Sequence, residues 1–383
     1  MNSYKTTPVN HLQKATAMKS KKWLFLSALW ILIVLPAHSQ SFSESKKYVH
    51  QFALSPKTTV EISNKYGKIQ LLTWKNDSVR VDIDFYISSS SPSRLAKLKQ
   101  NINFDFTNTN FYVGVKTVFG KSTGNVIDEI KDFAEAIVSG SNEVRIDYIV
   151  HIPQGQAIKI TNKYGDIYSD DMTGDVQISL SNGDLKANDL KGNSQIALSF
   201  GNAFINGITK GRIVAEYADV NIKSADNLSL ESKSSKINIE KATLVKLSSR
   251  RDDLRIENAT SVLGDSYFSN INIQNISDEV SLSSKFGKLT VDNFQKGFSF
   301  ANITSEYTDV DFYFERSTTF DFDITYYKDV LLRLPKEAEK TEEKTLSADL
   351  SQQIMYGRVG NTASKAKVKI VAPKKCYINL YIK

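Results

Sequence analysis

From residue 158 onward, apolar and polar positions alternate in short bursts divided by turn residues, and the bursts recur. The stretch QISLSNGDLKA (177–187) shows one unit. Ile178 and Leu180 lie on one side, Asn182-Gly183-Asp184 turns, and Leu185 and Ala187 come back to the first side. A period of two predicts half-buried strands. Asn-Gly-Asp is expected to supply the positive φ of a tight bend, with the glycine as the permissive residue. The octets ISNKYGKI (62–69) and ITNKYGDI (160–167) are near-copies of one unit.

The apolar residue two places after the turn glycine serves as an anchor. It recurs as Ile167, Leu185, Ala203, Val220, Ile237, Leu254, Ile271, Leu289, Val310 and Val330, at steps of 17 to 21 residues. Seven residues upstream of the anchors stand Ile160, Ile178, Ile196, Ile213, Leu230, Leu247, Gly264, Leu282, Ile303 and Asp323. Equivalent residues recur in the same order and not in mirror order, which favours parallel stacking over a hairpin meander. A wound coil can enclose its own core where a flat pair of strands cannot. The expected fold is all-β: a single-stranded parallel β-helix, a solenoid of 17–21-residue coils, over 158–334. VAPKKCYINLYIK supplies a terminal coil over 367–383, with Cys376 in the turn slot and Ile378 as last anchor.

Two stretches interrupt the series. Between the first coil and residue 152 lies an α+β insert (75–152). VRVDIDFYI and EVRIDYIVHI alternate strictly, INFDFT and FYVGVKTV read as a strand pair, and SPSRLAKLKQ starts a helix at Pro92. NVIDEIKDFAEAIVSG (125–140) has helical spacing and Gly140 beyond its end. Within 40–157 the insert is the natural cap for an open sheet end, which otherwise exposes unpaired edges. The second interruption, 335–366, is a charged excursion with a short helix expected at 346–353.

Residues 1–39 hold five lysines and no acid, and Lys19-Ser20-Lys21-Lys22 precedes WLFLSALWILIVLP and Ala37-His38-Ser39. This has the form of a secretory signal cleaved after Ser39. The apolar run is too short for a membrane span, and Gln40 stands where a lipid-anchored protein would have cysteine. Loss of five lysines takes the formal charge from +7 to +2. No basic stripe for nucleic acid remains. One cysteine excludes an internal disulfide, and His50 and His151 alone give little for a metal site or a triad. No metal or other cofactor is expected.

The NKYGDI and SNGDL units behind a signal segment resemble the putative-adhesin β-helix family of bacterial cell envelopes. The resemblance covers roughly 55–75, 155–334 and the terminal coil. It implies the coil fold and an envelope location and brings no catalytic residues.

Three rows hold candidate chemistry. The residue before the turn slot is Tyr66, Tyr164, Asn182, Phe200, Tyr217, Ser234, Arg251, Phe268, Phe286, Tyr307 or Tyr327. Such a row either shields the turns or, if exposed, gives a glycan- or partner-binding strip from Tyr164, Phe200, Tyr217, Phe268, Phe286, Tyr307 and Tyr327. After the slot come Asp166, Asp184, Asp219, Asp253, Asp309 and Asp329, interrupted by Lys236 and Lys288. They read as locally bonded turn residues rather than a calcium roll. The turn SSRRDDLRIE concentrates Arg250, Arg251, Asp252, Asp253 and Arg255, where a β-helix lyase would keep acids and a base. Adjacent opposite charges there read as a solvated surface. Cys376 reads as a packed turn residue and not a nucleophile.

The expectation is a non-enzymatic, exported protein of the periplasm or surface of a Gram-negative-type envelope. Its partner would be an envelope protein or a glycan. A carbohydrate-binding or -cleaving β-helix and a sensor arm for a membrane regulator are the alternatives.

Overall fold

A computed structural model describes residues 41–120, 142–347, 351–361 and 364–383. The signal-like segment and the helix expected at 125–140 lie outside the described residues. The rest is all-β, and its strands join one long sheet that does not close on itself. The only helix among the described residues is Pro92–Gln100, with Pro at its start, Lys97 and Lys99 in its last turn, and Leu98 buried. Basic residues there complement the helix dipole.

The amino-terminal strands are β1 (Phe42–Ala53), β2 (Thr59–Lys65), β3 (Ile69–Trp74), β4 (Ser78–Ser89), β5 (Ile102–Asn108), β6 (Tyr112–Phe119) and β7 (Asn142–Pro153). The repeat region holds β8 (Ile158–Lys163), β9 (Ile167–Ser169), β10 (Val176–Ser181), β11 (Leu185–Ser199), β12 (Asn202–Glu216), β13 (Asp219–Lys233), β14 (Lys236–Arg250), β15 (Asp253–Phe294) and β16 (Phe300–Phe314). The carboxyl-terminal part adds β17 (Phe320–Tyr327), β18 (Leu331–Arg333), β19 (Ala338–Ser347), β20 (Gln352–Val359), β21 (Lys367–Ala372) and β22 (Tyr377–Ile382).

From β8 to the start of β15, and again from the end of β15 to β16, each repeat pairs in parallel with the next, and like residue faces like. Ile160 opposes Ile178, which opposes Ile196, then Ile213, Leu230 and Leu247. Beyond the turns, Ile167, Leu185, Ala203, Val220, Ile237 and Leu254 form a second such ladder. All ten anchors are buried. One apolar core, from Val60 to Leu380, runs through the described residues. The alternation produces this directly, because every second side chain of a strand points to the same face.

At the amino end, β2 and β3 pair in parallel with β8 and β9 on one side. On their other side lie β6 and the later half of β7, also parallel. β4 then runs antiparallel to β7, β1 to β4, and β5 to β6. The insert therefore occupies the outer edge of the first repeat.

The carboxyl end departs from the expected order. β21 and β22 do not stack last. They lie between β16 and the pair β17–β18, with Ile370 between Ile303 and Ile324, and Ile378 between Val310 and Leu332. The inward residue of that repeat is accordingly Ile324, not Asp323, and Leu332 rather than Val330 faces Ile378. The expected helix at 346–353 is likewise corrected. β20 runs antiparallel to β17, and β19 antiparallel to β20, so the charged stretch folds back as a hairpin on the sheet edge.

Candidate functional site

The turns explain why NKYG is written twice. The buried Asn162 donates its amide to the carbonyls of Gly165, at 2.9 Å, and of Gly67 in the neighbouring repeat, at 2.8 Å. Asn64 does the same toward Ile146 O, at 2.6 Å. A polar residue three before the turn slot thus satisfies carbonyls that the bend takes out of the ladder. Later repeats place serine there, of which Ser305 repeats the bond to a carbonyl, Thr308 O at 2.5 Å, while Ser232 and Ser249 donate to Asp252 and Ser266 to Ser284. Ser232, Ser249, Ser266, Ser284 and Ser305 are all buried in this row. The words SKSS, SRRD, SYFS, SKFG and SEYT carried this signal in the sequence, and reading only apolar columns passed over it.

The positive φ falls one residue earlier than expected. Asn182 has φ 57°, and Gly183 is not in the left-handed region. Glycine is needed at 183 for space, because a Cβ there would overlap the carbonyl of Gly165. The left-handed residues are the aromatic row itself: Tyr66, Tyr164, Phe200, Tyr217, Phe268, Phe286 and Tyr307, all between 52° and 66°. Non-glycine residues pay roughly 1–2 kcal/mol for that conformation. Ladder bonds hold it: Tyr164 N–H donates to Ser181 O at 3.0 Å, Phe200 to Glu216 O at 3.1 Å, and Tyr217 to Lys233 O at 3.0 Å.

A left-handed bend turns these rings outward. Phe200 is 56% exposed, and Tyr164, Tyr217, Phe268 and Tyr307 are each near half. The rings stack nearly parallel in groups: Tyr66 on Tyr164 at 5.4 Å, Phe200 on Tyr217 at 5.1 Å, and Phe268 on Phe286 on Tyr307 at 4.6 and 5.1 Å. Asn182 breaks the row once, and Ser234 with Arg251 break it again. Lys65, Lys163, Lys233 and Lys285 place their ammonium groups within 6 Å of these rings. Tyr327 is corrected out of the row. It is half-buried, it does not share the left-handed φ, and its carbonyl accepts from Val330 N–H at 2.9 Å. The displaced β22 puts Lys375, three before Ile378, where the ring after Tyr307 would stand.

The charged turn is also rearranged. Asp252 is 4% exposed and stands in the slot that glycine, alanine or serine fills elsewhere. Its Oδ2 accepts from Ser232 Oγ at 2.6 Å, Ser249 Oγ at 2.7 Å and Arg250 N–H at 2.8 Å. Its Oδ1 accepts from Ser235 N–H at 2.8 Å. It is a buried structural acceptor and not part of a solvated surface. Arg251, Asp253 and Arg255 do lie outside. Three of the aspartates bond to the adjoining layer: Asp166 Oδ1 accepts from Asp184 N–H at 2.9 Å, Asp184 Oδ1 from Asn202 N–H at 3.1 Å and Asp309 Oδ1 from Tyr377 N–H at 3.0 Å, while Asp166 Oδ2 also accepts locally from the Tyr168 hydroxyl at 3.1 Å.

The remaining reactive groups are packed. Cys376 is buried, Ser305 Oγ donates to its sulfur at 3.7 Å, and burial pushes the thiol up despite that bond. His50 opposes Val81, which opposes Val150, so His151 falls on the other face of that sheet. The His50 ring lies 3.8 Å from that of Phe106, and His151 lies 5.4 Å from Trp74. No three His, Cys, Asp or Glu side chains group as for a metal among the described residues.

Neither a protein-family model nor a curated protein matches the chain. Among solved structures it is similar to a "putative cell adhesion protein" from Clostridium sporogenes, at 11% identity and a TM-score of 0.21 over 89% of this chain and 100% of that one. A "putative adhesin" from Bacteroides fragilis is 12% identical, with a TM-score of 0.25 over 88% and 97%. A "putative lipid binding protein" from Parabacteroides distasonis is 9% identical, with a TM-score of 0.29 over 70% and 92%. These likenesses are distant, and nothing about this chain's ligand is drawn from them.

Proposed function

We propose that the parallel repeats wind as a β-helix and that the protein is a non-enzymatic, exported component of a Gram-negative-type cell envelope. Its aromatic corner serves as a rigid surface for adhesion or for docking an envelope partner. The observation that carries this reading is the exposed, stacked row from Tyr66 to Tyr307. Seven large rings are kept in a strained backbone conformation, and five of them, Tyr164, Phe200, Tyr217, Phe268 and Tyr307, stand about half in water, where a merely structural turn would use asparagine or glycine. Export rests on the basic, then apolar, then small-residue pattern of 1–39.

The absence of catalysis is part of the proposal. Its support is that the groups best suited to proton transfer are engaged elsewhere, with Asp252 saturated by four donors and both histidines packed on rings. The test is attachment of the purified chain to intact cells and to isolated envelopes. Phe200→Ser with Tyr217→Ser, and Phe268→Ser with Tyr307→Ser, should each weaken attachment while leaving circular dichroism unchanged. Undiminished attachment by both double variants would remove the corner from the function. Release of new reducing ends from a polysaccharide panel by the wild type would reverse the non-enzymatic reading.

A further inference from the structure

The wall beside the aromatic corner carries an open depression of about 660 Å³. One row of its lining is Lys186, Phe204, Asn221, Asn238 and Arg255, each paired with the next across four parallel ladders. Two residues further along the strands, Asn188, Lys223, Glu240 and Glu257 line the other side. Ladder steps of ~4.8 Å make the row about 19 Å long.

The chemistry of this lining is selective. Three cations face two carboxylates, so it lacks the uninterrupted positive charge that a polyphosphate or nucleic acid requires. Its floor is backbone, with Ile205, Ile222 and Ile239 turned inward, so it offers no greasy channel for an acyl chain. Among the described residues, the side chains of Lys223, Glu240, Arg255 and Glu257 make no ion pair or hydrogen bond with the protein. Asn238 donates to Asn221 Oδ1 at 3.1 Å, which leaves the Asn238 oxygen and the Asn221 NH₂ group for a ligand. Phe204 presents a ring that is 49% exposed, four residues beyond Phe200 of the corner. Paired donors and acceptors suit vicinal hydroxyls, and one open ring suits the apolar face of a sugar.

We infer that this depression binds a linear, uncharged oligosaccharide, with Phe204 as the platform for one ring and the two asparagines and Arg255 bonded to hydroxyls. The ladder repeat of ~4.8 Å is close to the length of one pyranose unit, so about four or five units fill it. The inference goes beyond the reading of the aromatic corner by naming the ligand class of a second site beside it.

Titration calorimetry of the purified chain with tetra- to hexamers of β-1,4-glucan, α-1,4-glucan, β-1,3-glucan and chitin tests it. At least one series should bind saturably, tightening with length and levelling near five units. Phe204→Ala, and Asn238→Ala with Arg255→Ala, should each weaken that binding at least tenfold without altering the unfolding curve, because these side chains point outward. Phe268→Ser with Tyr307→Ser should leave it unchanged. No binding of any series at millimolar concentration, or equal binding by Phe204→Ala, overturns the inference. So does preference for a sulfated or phosphorylated chain. Cell attachment that depends on the corner, without oligosaccharide binding, would overturn this inference and leave the corner reading standing. Oligosaccharide binding without cell attachment would do the reverse.

Discussion

Asp252 shows how one side chain can change role through its place in a repeat. A carboxylate beside two arginines reads as surface chemistry, but the slot it fills points inward, and four donors close around it. Removing it strands the buried Ser232 hydroxyl and two backbone N–H groups, each costing ~1–3 kcal/mol if it finds no new partner, and leaves Ser249 only its bond to Ser269 Oγ. Asp252→Ala is therefore expected to destabilise by about 3 kcal/mol or more. The outward pair, Arg251→Ala with Asp253→Ala, should change stability by less than about 1 kcal/mol. Equilibrium urea unfolding of both variants measures the contrast. Equal losses would mean that Asp252 is not buried in solution.

At the scale of the element, the hairpin β19–β20 is fastened across a strand. Tyr326 on β17 reaches over β20 and donates its hydroxyl to Glu343 Oε1 on β19 at 3.0 Å. Burial, and then this bond to a carboxylate, push the hydroxyl up to about 12. Below the ordinary tyrosine value near 10 the group is protonated in both folded and unfolded chains, and its contribution is complete. Between about 10 and 12 the unfolded chain ionises first, so stability falls as pH rises. Tyr326→Phe should cost ~1 kcal/mol at pH 7 and should flatten the fall between pH 10 and 12, as read from denaturant midpoints. A variant with the same high-pH slope as the wild type would show that the bond does not form. The hairpin also protects the sheet end, because β19 is rich in Lys and Glu, which discourage another chain from pairing with its edge.

At the scale of the whole molecule, the last segment of chain is not the last layer of the fold. β21 and β22 fill a gap between β16 and β17–β18, so these layers cannot assemble until residues 367–382 arrive. A chain ending at Pro335 would leave two parallel edges unpaired, with the rings of Phe312, Phe314, Phe320 and Phe322 uncovered. It is expected to aggregate or to be cut between 300 and 335 in limited proteolysis, while the repeats from 158 to 290 stay resistant. Loss of a merely terminal layer would leave that region intact. Protease resistance through residue 335 in the truncated chain would contradict the arrangement.

The period-two alternation and the 17–18-residue recurrence fixed the strands, their parallel register from Ile160 to Leu254, and the buried anchors as far as Leu289. These features depend on local pattern repeated many times, and each copy corrects the reading of the others. The row before the turn slot was also legible as a row, and so were the insert's strands and the helix that starts at Pro92. Three things were not. The turn conformation was misplaced by one residue, because glycine is required there by a neighbouring carbonyl and not by its own φ. The fates of Asp252 and Tyr327 depended on which way a bend turns a side chain, which is set by the layer above and below. The order of the final layers was hidden because strand pairing across dozens of residues leaves no trace in local spacing. Only the assembled sheet decided that Ile378 lies between Val310 and Leu332, since both edges needed a partner and the last strand was the one that fitted.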